Sequence, residues 1–359
     1  MSRPDAFEDV VSPLPRACGA PRARGRLRVA AEDFRVDEHL PVTPDGKGEH
    51  VLLRIRKTCL NTQDVVARLA RLAGVKPRDV GFAGQKDRIA VTSQWFSVWL
   101  VNRPEPDWTA LNDDRLELLE AHRHGRKLRR GALRANRFSL VLRDFDGDAG
   151  ELAERIERLQ RLGMPNYFGA QRFGRRGSNL QGALRWFREG RRPRQRNRAG
   201  MMLSAARSLL FNQVLAERVR RGDWASAIPG DYLALDGSHA GFVVEQPDEV
   251  IARRLADFDL HPSGPLPGDG PSRARDEALA VEQQALAGWD EWRAGLAAAR
   301  VASDRRPLRA RVSDLEWAIE DDRLRLSFTL PRGSFATALV RELVSFDEGP
   351  GEGLPRPCG

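Results

Sequence analysis

Apolar and polar positions alternate with a period of two through most of the first third of the chain. Gly25-Arg26-Leu27-Arg28-Val29 leads into Glu32-Asp33-Phe34-Arg35-Val36-Asp37-Glu38, the pattern of a half-exposed strand, and Val51 to Arg56 predicts a second strand after a glycine-rich turn. From Asn61 the period changes to 3.6. Val65, Val66, Leu69 and Leu72 fall on one face behind an N-cap candidate and stop at Gly74, which predicts an amphipathic helix. Strands are expected at 92–100, 116–121, 138–143 and 324–330, and helices over 152–162, 201–221, about 275–299 and from Pro331 to about Val344. Residues 226–305 otherwise read as short strands and a Pro/Gly-rich loop at 262–271. Residues 1–24 show no period and are expected to form a loose arm. The Gly/Pro-rich tail from 346 is expected to be disordered. Strands and helices together predict an α/β (α+β) chain.

Two stretches fit no regular element. Val80 to Leu100 opens with an apolar run and two glycines, Gly81 and Gly84, places Asp87 between Lys86 and Arg88, and then alternates into a strand. Glycines in such a loop allow a positive φ or close approach to a ligand, and the single acid would stand at the rim of a sheet. A solvated turn with local charge pairing is the bland alternative. The second stretch, Gly163-Met164-Pro165-Asn166-Tyr167-Phe168-Gly169-Ala170-Gln171-Arg172-Phe173-Gly174, has the composition of an ordered loop packed by its own side chains.

Charge adds a partner class. Lys plus Arg number 59 against 50 acids, a net charge of +9, with basic runs at 122–130 and 188–200. Clustered cations are rewarded by counterion release from a polyanion, so nucleic acid is favoured over a membrane. Arg outnumbers Lys heavily, but exchanging them leaves this excess unchanged. With 41% apolar and 30% charged residues the chain reads as globular. Cys18, Cys59 and Cys358 have no metal or redox spacing and fit a reducing cytosol, and neither a signal peptide nor a membrane span is apparent. His122 and His124 lack a neighbouring ligand set, so no metal is expected.

The stretch Ala83-Gly84-Gln85-Lys86-Asp87-Arg88, followed by Ala90-Val91-Thr92 and Gln94-Trp95, resembles the active-site motif of the tRNA pseudouridine synthase D (TruD) family. The 163–174 loop, Ser204-Ala205-Ala206-Arg207-Ser208 with Leu210-Phe211-Asn212, and Pro331 to Thr337 resemble the family's other motifs in order, so the likeness runs from about residue 25 to 344. It implies a pseudouridine synthase fold with a mixed, mostly antiparallel sheet over residues 1–162 and 309–359. It also implies an inserted α/β TRUD domain over 163–308, and a cleft lined by the basic runs. The implied activity is isomerisation of a flipped-out uridine in tRNA, at position 13, by a cytoplasmic monomer without a metal or small-molecule cofactor.

By the same resemblance Asp87 is the catalytic carboxylate, and Phe34, Asn136 and Phe335 contact the uridine. Phe138 is a further stacking candidate, and Lys86 is placed at the substrate with them. Arg28 stands where the family usually has Lys, and Ala31 where it usually has Pro. An aromatic ring stacked on a base contributes about 1–3 kcal/mol, and an Asn amide offers both donor and acceptor to a uracil edge. Core packing accounts equally well for each Phe taken alone. The rival reading is a non-catalytic RNA-binding or tRNA-chaperone protein. A nuclease lacks a second acid or His beside Asp87, and a methyltransferase lacks a glycine-rich nucleotide loop.

Overall fold

The computed structural model describes residues 14–41, 43–349 and Cys358. The chain divides into two compact units. One comprises Arg22–Leu152, Val312–Gly333 and Val344–Gly359, and the other Met1–Pro21, Ala153–Arg311 and Ser334–Leu343.

The first unit is built on a mixed ten-stranded sheet. Its strands are β1 (Arg24–Leu27), β2 (Phe34–His39), β3 (His50–Thr58), β4 (Val80–Phe82), β5 (Val91–Trp99), β6 (Leu116–His124), β7 (Ala135–Asp146), β14 (Ser313–Glu320), β15 (Arg323–Pro331) and β16 (Ser345–Glu348). The main path runs β14-β15-β7-β2-β5-β3-β6, with β4 paired to β5 and β1 to both β7 and β16. The pairs β2–β5 and β1–β16 are parallel and the remaining pairs antiparallel. The sheet is therefore mixed and mostly antiparallel, as expected.

β3 lies between β5 and β6, which explains its nearly continuous apolar run. Val51, Leu53 and Ile55 join Phe96 and Val98 of β5 in a core closed by Val65, Val66 and Leu69 of helix α1 (Thr62–Leu72). Each such side chain fully withdrawn from water contributes roughly 1.5–3 kcal/mol. Alternation along β2 and β7 sets up the site. The register places Phe34 opposite Leu140, Val36 opposite Phe138 and Glu38 opposite Asn136, so Phe34, Glu38, Asn136 and Phe138 share one face.

The second unit surrounds a long helix, α4 (Arg196–Arg221), which is buried on most of its sides. Around it lie α3 (Ser178–Glu189), α6 (Asp276–Ala285), α7 (Asp290–Ala298) and β11 (Leu260–Leu266). Two expectations are corrected here. The helix expected over 275–299 is two helices, because Gly288 adopts φ 77 between them. The stretch 262–266, expected to be loop, belongs to β11. Pro262 cannot donate to a ladder, but its carbonyl still accepts from Leu308 N at 2.8 Å.

The chain ends differ from expectation as well. Residues 14–21 are held rather than loose: the buried Glu342 carboxylate accepts from Ala17 N at 2.8 Å and Cys18 N at 3.4 Å, and Arg341 reaches the carbonyls of Leu14 and Pro15. These contacts join the arm to α8 (Ala336–Leu343), and both fall in the second unit. Residues 346–348, expected to belong to a disordered tail, lie in β16, which pairs with β1. Cys59 and Cys358, read as unpaired, form a disulfide with Cα atoms 5.2 Å apart. Residues 1–13, 350–357 and 359 lie outside the described residues.

Candidate active site around Asp87

The loop between β4 and β5 carries Asp87, and side chains from three elements fix its main chain. Neither Gly81 nor Gly84 has a positive φ. Gly81 is needed for packing, since a Cβ there would stand 2.4 Å from Leu128 O and 2.5 Å from Ser97 Oγ. On the loop itself, the Gln94 amide donates to Gly84 O and accepts from Thr62 Oγ1 at 3.1 Å. Thr62 Oγ1 in turn accepts from Lys86 N at 3.1 Å. Lys57 Nζ donates to Asp87 O at 3.0 Å and to Leu60 O at 2.7 Å.

The Asp87 carboxylate is partly open, its side chain 38% exposed, and its Oδ2 accepts from Arg28 Nη2 at 2.8 Å. Arg28 has φ 62, a left-handed conformation that is strained for a long side chain. Its guanidinium lies 4.0 Å from the Phe34 ring centroid and also reaches Glu348, at 3.1 and 3.2 Å. The fork thus spans two carboxylates and covers an aromatic ring, an arrangement that a Lys ammonium could not reproduce.

Lys86 points the other way. Its Nζ donates to Asn136 Oδ1 at 2.6 Å and pairs with buried Glu38 at 3.2 Å, while the other Glu38 oxygen accepts from Trp95 N at 2.8 Å. An ammonium has donors and no acceptor, so the amide oxygen of Asn136 must face Lys86 and its amino group is turned away. Burial lowers the Lys86 pKa, opposed by Glu38 and Asp87.

The aromatic candidates separate. Phe34 and Phe138 are buried side by side on the sheet face, 6.2 Å apart edge to face, and Phe138 stacks on Phe328 at 5.4 Å. Phe335 belongs to the second unit, where it meets Phe168 at 6.0 Å, and the Arg306 and Arg172 guanidiniums lie 4.1 and 5.2 Å from the Phe168 ring. In the basic runs, His124 pairs with Asp45, His122 with Glu120 and Arg188 with Glu291, whereas Arg191, Arg192, Arg194, Arg196 and Arg198 are exposed.

A family profile described as tRNA pseudouridine synthase D (TruD) matches residues 16–182 and 191–343. The chain belongs to the TruD family. Among its relatives, the tRNA pseudouridine synthase D of Methylococcus capsulatus is 51% identical over 335 residues, 93% of this chain and 95% of the relative. That of Nitrosococcus oceani is 48% identical, covering 92% and 94%. The crystal structure of the putative tRNA pseudouridine synthase D (TruD) from Methanosarcina mazei matches with a TM-score of 0.70 over 96% of this chain and 98% of that one. At 20% identity that likeness shows the shared fold.

Within this TruD chain, the residues that sequence reasoning missed are the supports: Glu38, Lys57, Thr62 and Gln94. Glu38 and Gln94 sit at inward positions of otherwise alternating strands, and a polar residue at a buried position was the available signal. Lys57, near the end of β3, follows Arg54 and Arg56 and reads as a third surface cation, yet it is fully buried.

Proposed function

We propose that the protein isomerises uridine to pseudouridine in tRNA, with Asp87 as the catalytic carboxylate. The reaction breaks N1–C1′, turns the detached uracil and joins C5 to C1′, so atoms and electrons balance within one nucleotide. The nucleotide has to leave its stack for the carboxylate to reach it. Asp87 then acts by attack at C1′, by attack at C6 or by removing the C2′ proton. All three need a partly open carboxylate with a fixed position.

The observation that carries this reading is the double restraint of Asp87: its side chain is held by Arg28 at 2.8 Å and its loop is tied down through Gly84, Lys86 and its own carbonyl. A solvated turn needs no buried amide, hydroxyl and ammonium beneath it. Asn136, with its oxygen on Lys86, offers its amino group to a uracil carbonyl, and this narrows the two-way match expected from sequence. Phe34 supplies an apolar wall under the Arg28 fork. Phe335 and Phe138 enter the reading on family resemblance, as does position 13 of tRNA. The exposed arginines between 191 and 198 suit the phosphate backbone. We place the protein in the cytoplasm with its substrate, as a monomer.

Base-resolved mapping of pseudouridine in an unmodified tRNA transcript incubated with the protein tests the reading. New pseudouridine confined to one uridine, at position 13, is expected. A tRNA that is bound but left unmodified would favour the chaperone reading.

A further inference from the structure

Lys57 lies beneath the Asp87 loop and contributes no surface charge. It is 0% exposed, and its hydrogen-bond partners are two main-chain carbonyls rather than a carboxylate, at Leu60 and Asp87. A methionine of similar length would fill that space without withdrawing a charge from water, and an ammonium buried in this way is costly to the fold. Burial takes its pKa down to about 8, with the Asp87 carboxylate opposing that fall, Lys86 adding to it, and Asp64 opposing it.

What the ammonium gains is position. Lys57 is the penultimate residue of a strand locked between β5 and β6, with register partners Thr92 and Leu116. Its Nζ therefore reports the location of the sheet core to the loop above. It meets the carbonyl of the same residue whose carboxylate Arg28 holds, so residue 87 is gripped at both ends, main chain from below and side chain from the side. A displacement of about 1 Å in a catalytic group lowers a rate by as much as 100-fold. The geometry points to Lys57 as the positioning residue for Asp87, fixing its main-chain carbonyl from inside the core. This rests on the catalytic reading of Asp87.

The test compares wild type, Lys57→Met and Lys57→Gln on full-length tRNA, with Asp87→Asn alongside. Methionine removes donor and charge. Glutamine keeps a donor, one atom shorter, without the charge. We expect Lys57→Met to lower kcat by about 10- to 100-fold with KM for tRNA unchanged within twofold and no fall in Tm. Lys57→Gln should recover part of the loss, which a purely structural role would not produce. The alkaline limb of wild-type kcat near pH 8 should be missing from both variants. Wild-type kcat in both variants, with Asp87→Asn inactive, overturns the role of Lys57 alone. An active Asp87→Asn instead overturns the parent reading. Where only Lys57→Gln folds, its kcat decides: a loss at constant KM supports positioning, and wild-type kcat refutes it.

Discussion

Asn136 owes its direction to a lysine, and Lys86 owes its own to a buried glutamate. In the proposed reading this chain of three side chains fixes which end of the amide is free for a uracil edge, a matter that sequence left open because Asn can donate or accept. Replacing Asn136 with Ala should lower kcat/KM by about 10- to 100-fold, the loss of one well-placed hydrogen bond in a partly desolvated site, measurable by initial rates on tRNA. Lys57 gives a second prediction at this scale. Its folded pKa of about 8 lies below the ordinary 10.5, so the unfolded chain binds the extra proton between those values and stability from this group rises with pH there. Below about pH 8 the whole burial cost is present. Denaturant unfolding from pH 7.5 to 10 should show this rise in wild type, on the order of a few kcal/mol at most, and a flatter curve for Lys57→Met. The Asp87 loop was legible because an acid between cations after Gly-x-Ala-Gly is unusual, while the proposed catalytic role came from the family resemblance. Lys57 was not, since a lysine closing an Arg-x-Arg strand reads as solvated.

The elements around the loop act as a clamp. β5 sends Gln94 upward to Gly84, α1 sends Thr62 to Lys86, and the two side chains also bond each other at 3.1 Å. Changing Gln94 to Leu strands the Gly84 carbonyl and the Thr62 hydroxyl, and should destabilise by about 1–3 kcal/mol. Hydrogen exchange of the amides between residues 84 and 88 should accelerate in that variant while β3 stays protected. Strands and the first helix were legible because one of their faces is buried, which stamps a period of two or 3.6 on the sequence. The break at Gly288 was not, because the flanking Ala/Glu/Arg composition favours helix on either side. β11 was hidden for the converse reason, its two prolines suggesting a loop although the Pro262 carbonyl still pairs and Pro265 keeps its place in the ladder opposite Arg305.

For the molecule as a whole, long-range pairing was the part least available to sequence. Nothing local announces that Glu342 holds the amides of residues 17 and 18, or that Cys59 meets Cys358 across a separation of 299 residues. Net charge was available, and at +9 it makes binding to tRNA a counterion-release process. The affinity should fall by about 100-fold or more between 50 and 200 mM salt if five or more phosphates are contacted, and a flat response would remove the basic surface from the account. The central claim is that intact tRNA is isomerised through one carboxylate. Its most direct test is single-turnover formation of pseudouridine by Asp87→Asn beside wild type, with tRNA affinity measured on both. The account predicts unchanged affinity within about twofold and a rate reduced by more than about 1,000-fold. Pseudouridine formed by the variant at the wild-type rate would contradict it.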